Sequence, residues 1–226
     1  MIASEVNRSL IHFSTIVTAE SGLRRVPRQA RSRDRVRRVL ETAEQLLIAE
    51  GASALTTTRL AQEAGISVGS LYQWFPDLDA VLRGLVERYT GEFQEIAARF
   101  AEDAVAQPLH ESATAVLELY AEAFRARPAF RALWFGGLRS EELRDVARGA
   151  LRPMTEALAS VLAAHHPAVP RDRIDTVSEM FVFVADALLR QAFRRDPDGD
   201  PALLAEAALL LQTYLDVRLA RHRLPE

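Results

Sequence analysis

The chain has 226 residues, 49% of them apolar, a net charge of −3, no cysteine and no lysine, so all 28 basic residues are arginine. That composition provides for a substantial core and excludes disulfides, thiol nucleophiles, cysteine-held metals, Schiff-base lysines and the lysine of a phosphate-binding loop. The charge is uneven: residues 24–75 carry nine arginines against five acids, whereas residues 76–226 carry 18 against 24.

Residues 1–27 show no sustained period and end at Pro27, the pattern of a mobile arm or of a translation start placed too early. Their stretch "SLIHFSTIV" is too short and polar for a membrane span and lacks a small-residue cleavage site, which points to a cytoplasmic protein with no membrane partner. The run "RRVPRQARSRDRVRR" puts eight arginines and one aspartate into residues 24–38, suiting a polyanion such as DNA or a solvated face. From about residue 31 to 50, Val36, Val39, Leu40, Ala43, Leu46 and Leu47 recur at helical spacing until Gly51 stops the pattern. Thr57 or Thr58 is placed to cap a short second helix ending at Gly65, and Ser67 a third, limited by Pro76. Two short helices joined by a glycine-bearing turn form a helix-turn-helix pattern.

Asp77 then caps a helix to about Asp103, with Leu78, Leu82, Leu85, Tyr89, Phe93, Ile96 and Phe100 on one stripe. At roughly 40 Å it is long enough to join two domains. Further helices are expected at about 109–126, 128–135, 140–164, 171–194 and 200–221, with a break at Gly136-Gly137 and a kink at Pro153. No alternating strand pattern competes, so the fold class is all-α, about nine helices. The chain divides into the arm 1–27, a helix-turn-helix domain 28–76 and a body 77–226. "MFVFVADALL" and "ALLAEAALLLQTYL" are apolar almost all round. They suit either central core helices or a homodimer joined through the last two long helices as a four-helix bundle.

Catalysis has little to stand on. There is no glycine-rich phosphate loop and no Glu-x-x-His pair. His165 and His166 are adjacent, diverge by about 100° on a helix, and suit a helix C-terminus better than a shared metal. His12, His110 and His222 are isolated. No enzyme activity, cofactor or metal is expected. Tyr120, Phe124, Phe130, Trp134, Phe135, Met154, Phe181 and Phe183 concentrate aromatics and a pliable methionine in the body, as a ligand pocket or as plain core. Asp186 is either a polar anchor for a ligand or the partner of Arg190 at i+4.

The segment "LTTTRLAQEAGISVGSLYQWFPDLDAVL" resembles the DNA-binding head of the tetracycline-repressor (TetR) family, with Thr57, Leu60, Ala61, Ala64, Gly65, Ile66, Ser67, Gly69, Leu71, Tyr72, Phe75 and Leu82 in the family's places. The resemblance covers residues 31–82 closely and the body only in helix number and length. It implies a homodimeric repressor that binds a palindromic duplex and is released when a small effector moves the heads apart. The effector expected for this body is mainly apolar or aromatic. Ser67, Val68, Gly69, Ser70 and Gln73 are then the candidates for base edges in the major groove. Tyr72 and Trp74 are the candidates for the DNA backbone, with simple packing on the first helix the alternative for Trp74, and Arg31, Arg33, Thr57, Thr58 and Arg59 are further DNA-binding candidates. Leu78 stands where the family usually has a phosphate-binding lysine, a contact that Arg59 or the arginine run would have to replace. An architectural DNA-binding protein without an effector is the competing expectation.

Overall fold

The computed structural model describes Leu23 and residues 29–104, 109–138 and 140–220. The expected arm, 1–27, therefore lies outside the described residues apart from Leu23. In chain order the elements are α1 (Ala30–Glu50), a 3-10 turn (Ala52–Ala54), α2 (Thr57–Glu63), α3 (Val68–Tyr72), α4 (Leu78–Ala104), α5 (Leu109–Ala126) and α6 (Pro128–Ala132). A π turn (Leu133–Gly137), α7 (Glu141–Gly149), α8 (Arg152–His165), α9 (Arg171–Arg195) and α10 (Pro201–Ala220) complete the chain. The described residues contain no strand, and the architecture is all-α.

Two local expectations are corrected. The helix expected over 140–164 is two helices, α7 and α8, and Pro153 sits in the first turn of α8. There a missing N–H costs nothing, so the proline starts a helix and does not kink one. The cap of α2 is Thr56, not Thr57 or Thr58: its hydroxyl accepts from the Arg59 amide at 3.2 Å. Ser67 caps α3 as expected, accepting from the Ser70 amide at 3.1 Å, and Asp77 takes the Ala80 amide at 2.7 Å.

Between α2 and α3 the chain turns at Gly65, whose φ of 66° is a left-handed conformation that a Cβ would strain. The Ile66 amide reaches back to the Ala61 carbonyl at 3.0 Å, and so the end of α2 keeps its hydrogen bonds. The apolar face of α1 closes over Leu55, Leu60, Leu71 and Phe75, all fully buried, and α4 contributes Val81, Leu82 and Leu85 to the same core. Further along, α4 buries Phe93, Ala97 and Phe100 in the body and packs on α8.

Polar ties fix the angle between head and body. Glu44 of α1 accepts from Arg88 at 3.1 Å and from the Tyr89 hydroxyl at 2.8 Å, both on α4. Arg83 reaches Glu142 of α7, and Arg127 reaches Glu92, each at 2.8 Å. His165 lies 3.1 Å from the Ala104 carbonyl, so it meets the C-terminus of α4 and not that of its own helix. Arg131 of α6 donates to the Phe124 carbonyl at 2.9 Å and to the Pro197 carbonyl at 2.8 Å, pinning the turn between α9 and α10.

Thr56→Ala should cost about 1 kcal/mol and lower the melting temperature by roughly 2–4 °C. Thr57→Ala and Thr58→Ala should stay within about 0.5 kcal/mol. Calorimetry on the three variants separates the assignments.

Candidate nucleic-acid interface and body cleft

The exposed surface of the helix-turn-helix is built from α3 and the turn before it. Ser67, Gly69, Tyr72 and Gln73 are exposed, and Val68 and Ser70 half-buried, whereas Leu71 and Phe75 point inward. A Cβ added at Gly69 would meet only the Ser67 hydroxyl, 3.9 Å away. The fold itself therefore has room for a side chain there. Thr58 is exposed and Thr57 half-buried at the start of α2.

The cations divide into two sets. Arg31, Arg33, Arg35 and Arg38 are exposed on α1 and form no ion pair with an acid among the described residues. Arg59 is exposed and shared at 3.1 Å between Glu50 and Glu63, so a phosphate would have to compete with two acids for it. Trp74 is half-buried against the core, with its indole N–H buried and without an acceptor among the described residues. In this arrangement Trp74 packs against the core, the alternative that its place in the sequence left open. Leu78 packs against the same core, which accounts for an apolar residue at that position.

In the body, a cleft of about 520 Å³ opens between the π turn, α7 and α9. Its walls include Trp134, Phe135, Leu138, Leu151 and Phe183, and its charged groups are Arg144, Arg148, Asp186 and Arg190. Of the residues expected to bind a ligand, Trp134, Phe135, Phe183 and Asp186 line this cleft. Phe130 stands behind them, its ring 4.3 Å from that of Trp134. Tyr120, Phe124, Met154 and Phe181 do not reach the cleft and belong to the sealed core. Tyr120 stacks on Phe93 at 5.3 Å and Phe124 on Phe193 at 5.1 Å.

Sequence reasoning missed Arg144 and Arg148 because it ran α7 and α8 together as one helix. Their spacing of four residues on a short, strongly two-faced helix was the available signal. Asp186 is only 3% exposed and pairs with Arg190 one turn on. Burial pushes its carboxyl up to about 6, against the opposing pull of Arg190. Burial and the charge of Asp186 together raise the Tyr120 hydroxyl well above its ordinary value.

A helix-turn-helix with an exposed α3, unpaired arginines on α1 and an all-helical body defines a DNA-binding regulator. Residues 39–85 match the family described as bacterial regulatory proteins, tetR family, and residues 108–215 match the tetracyclin repressor-like, C-terminal domain. The chain belongs to the tetR family of transcriptional regulators, which are not enzymes. A TetR-family regulator from Streptomyces coelicolor is 28% identical, with 82% of this chain and 99% of that one covered at a TM-score of 0.62. The fold is also that of FadR from Bacillus subtilis in complex with stearoyl-CoA, at 17% identity, with 81% and 97% covered and a TM-score of 0.60. Among curated proteins, the nucleoid occlusion factor SlmA of Aliivibrio fischeri is 39% identical over 61 residues, 27% of this chain and 30% of that protein. No helix among the described residues is long and apolar enough to cross a membrane.

The raised carboxyl of Asp186 makes a pH prediction. As pH rises from about 4 to about 6, the unfolded chain ionises Asp186 before the folded one does, so folding loses roughly 3 kcal/mol. The Asp186→Asn variant lacks that loss. Its stability relative to the parent should therefore climb between pH 4 and pH 7, and a pH-independent difference in denaturant midpoints would contradict the burial.

Proposed function

We propose that the protein is a ligand-responsive repressor that binds a palindromic DNA operator as a cytoplasmic homodimer and is released by a small, mainly apolar or aromatic effector. The chain divides for this task at residue 76, with DNA contacts in 28–76 and effector binding and dimerisation in 77–226. One observation carries the reading: the wall of the body cleft is also a support of the DNA-binding head. The π turn that presents Trp134 and Phe135 packs on the 3-10 turn Ala52–Ala54, where a Cβ at Gly136 would stand 3.7 Å from that of Ala52. Two residues after that 3-10 turn comes Thr56, the cap of α2. A ligand that displaces the π turn therefore pushes on the start of the helix-turn-helix.

A second line runs through α4. The Tyr89 ring meets Phe130 edge-on at 5.3 Å, and the Tyr89 hydroxyl holds Glu44 of α1. Release of DNA requires only that the ligand bind the DNA-incompetent spacing of the heads more tightly than the competent one, by a few kcal/mol. Dimerisation is supported by the outward faces of α9 and α10, where Met180, Leu209, Leu210 and Val217 are exposed and Leu209 keeps 63% of its surface. An isolated apolar residue on a surface needs no partner, but four on two helices packed side by side expose apolar surface that a second copy would cover.

On DNA, α3 enters the major groove, Ser67, Val68, Ser70 and Gln73 meet base edges, and Gly69 lets the helix come close. Tyr72 and the free arginines of α1 meet phosphates, which makes binding salt-sensitive. Gel shifts with palindromic duplexes near the protein's own gene test the reading, and indifference to the palindrome would count against it. Gly69→Val should abolish operator binding while helicity and dimer remain. Trp134→Ala and the exposed-site variant Phe183→Ala should keep operator binding and lose ligand-dependent release. Equal release in both variants and parent would put the effector elsewhere.

A further inference from the structure

The charges around the cleft are unevenly placed, and their placement selects a ligand. Among the described residues Arg144, Arg148 and Arg190 line it with Asp186, while Glu141, which pairs with Arg144 and Arg148, is an exposed residue outside the lining. The carboxylate is the buried end of its ion pair, at 3% exposure, whereas the Arg190 side chain keeps 36%. An incoming molecule thus meets the guanidinium first. Arg148 is engaged by Glu141 and Asp145, but all three are more than half exposed, and pairs of that kind are weak in water. A carboxylate brought into the less solvated cleft competes with them on good terms, because an arginine fork matches it with two parallel hydrogen bonds. Among the described lining residues a cation would find no acid but the buried Asp186, which Arg190 already holds. A neutral apolar molecule would desolvate the arginines with nothing in return. The remaining walls, Trp134, Phe135, Leu138, Leu151 and Phe183, offer an apolar bed, and a volume of about 520 Å³ lies within the span of small-molecule sites.

We propose that the cleft takes an amphipathic monocarboxylate, with an aryl or acyl body on Trp134, Phe135 and Phe183 and its carboxylate on Arg190 and Arg148. The inference rests on the reading of this cleft as the effector site. It also carries a proton consequence. Once the ligand shares Arg190, Asp186 loses part of its pairing with that cation and gains a negative neighbour. The groups that face it are Arg190 on its own helix, the Tyr120 hydroxyl from α5, and Arg144 and Arg148 from α7 across the cleft. A carboxyl already pushed up to about 6 by burial then takes up a proton near neutrality. Affinity for the acid should therefore rise as pH falls from 8 to 6, by up to about tenfold per unit for one proton.

The test uses the full chain and three matched probes: 6-phenylhexanoate, 6-phenylhexanol and 6-phenylhexyltrimethylammonium. Titration calorimetry should show the acid binding at least tenfold more tightly than the other two, with an enthalpy that varies with the buffer because a proton is taken up. Arg148→Gln, at an exposed position that leaves the core untouched, should shrink the preference for the acid severalfold, and Arg190→Gln should remove most of it. Asp186→Asn should keep acid binding but lose the buffer dependence and the pH slope. Acid binding no tighter than that of the alcohol or the ammonium, or a preference unchanged in both arginine variants, overturns the inference. A parallel gel shift separates it from the functional reading. Tight acid binding without release of DNA keeps the ligand class and removes the effector role, whereas release by the alcohol or the ammonium alone does the reverse.

Discussion

One helix has to be buried twice. The first turns of α4 complete the core of the head through Val81, Leu82 and Leu85, and its later turns place Phe93, Ala97 and Phe100 in the body. An unbroken 27-residue helix carries a rotation at one end toward the other, so the two cores share one angular setting. Each fully buried leucine or phenylalanine on it is worth roughly 1.5–3 kcal/mol, which makes a slip of even one position costly at both ends. The helix is thus a rigid shaft, and a change in the body that moves it also moves the head.

The ion pairs act on a different scale. Arg37 with Asp34, Arg152 with Glu156 and Arg171 with Asp175 are exposed pairs within single helices, screened by water and therefore weak. They keep an arginine-only surface soluble and add little to the fold. Glu44 is another matter, because its two partners lie on α4 and all three side chains are largely withdrawn from water. Loss of either partner would leave a half-buried carboxylate underpaired. Its contribution is to the register between α1 and α4 more than to the total stability.

Much of the head was legible because its signals are local. The period of Val36 to Leu47, the stop at Gly51, the turn at Gly65 and the cap at Ser67 each act within a few residues. The cap of α2 was misplaced by one residue because three consecutive threonines satisfy the same rule, and only backbone geometry chooses Thr56 among them. The body was harder. That Phe124 and Phe181 are sealed while Trp134 and Phe135 line a cleft depends on which helices meet, and residues of equal hydrophobicity give no hint of it. The break at Ala150-Leu151 is flanked by Gly149 and Pro153, a stop and a start signal that were read as a kink because Ala150 and Leu151 themselves favour a helix. With the break missed, Arg144 and Arg148 had no assigned face.

The π turn also has a consequence for chain length. In an α-helix, neighbours such as Trp134 and Phe135 are set about 100° apart and tend to serve different faces. A turn that holds one more residue narrows that angle and lets both rings line one cavity. Local geometry here is a matter of residue count as much as residue identity. Removing a single residue between Leu133 and Gly137 would allow an ordinary α-helical turn, swing one aromatic out of the cleft and withdraw Gly136 from Ala52. Substitutions, which preserve the count, leave that spacing in place.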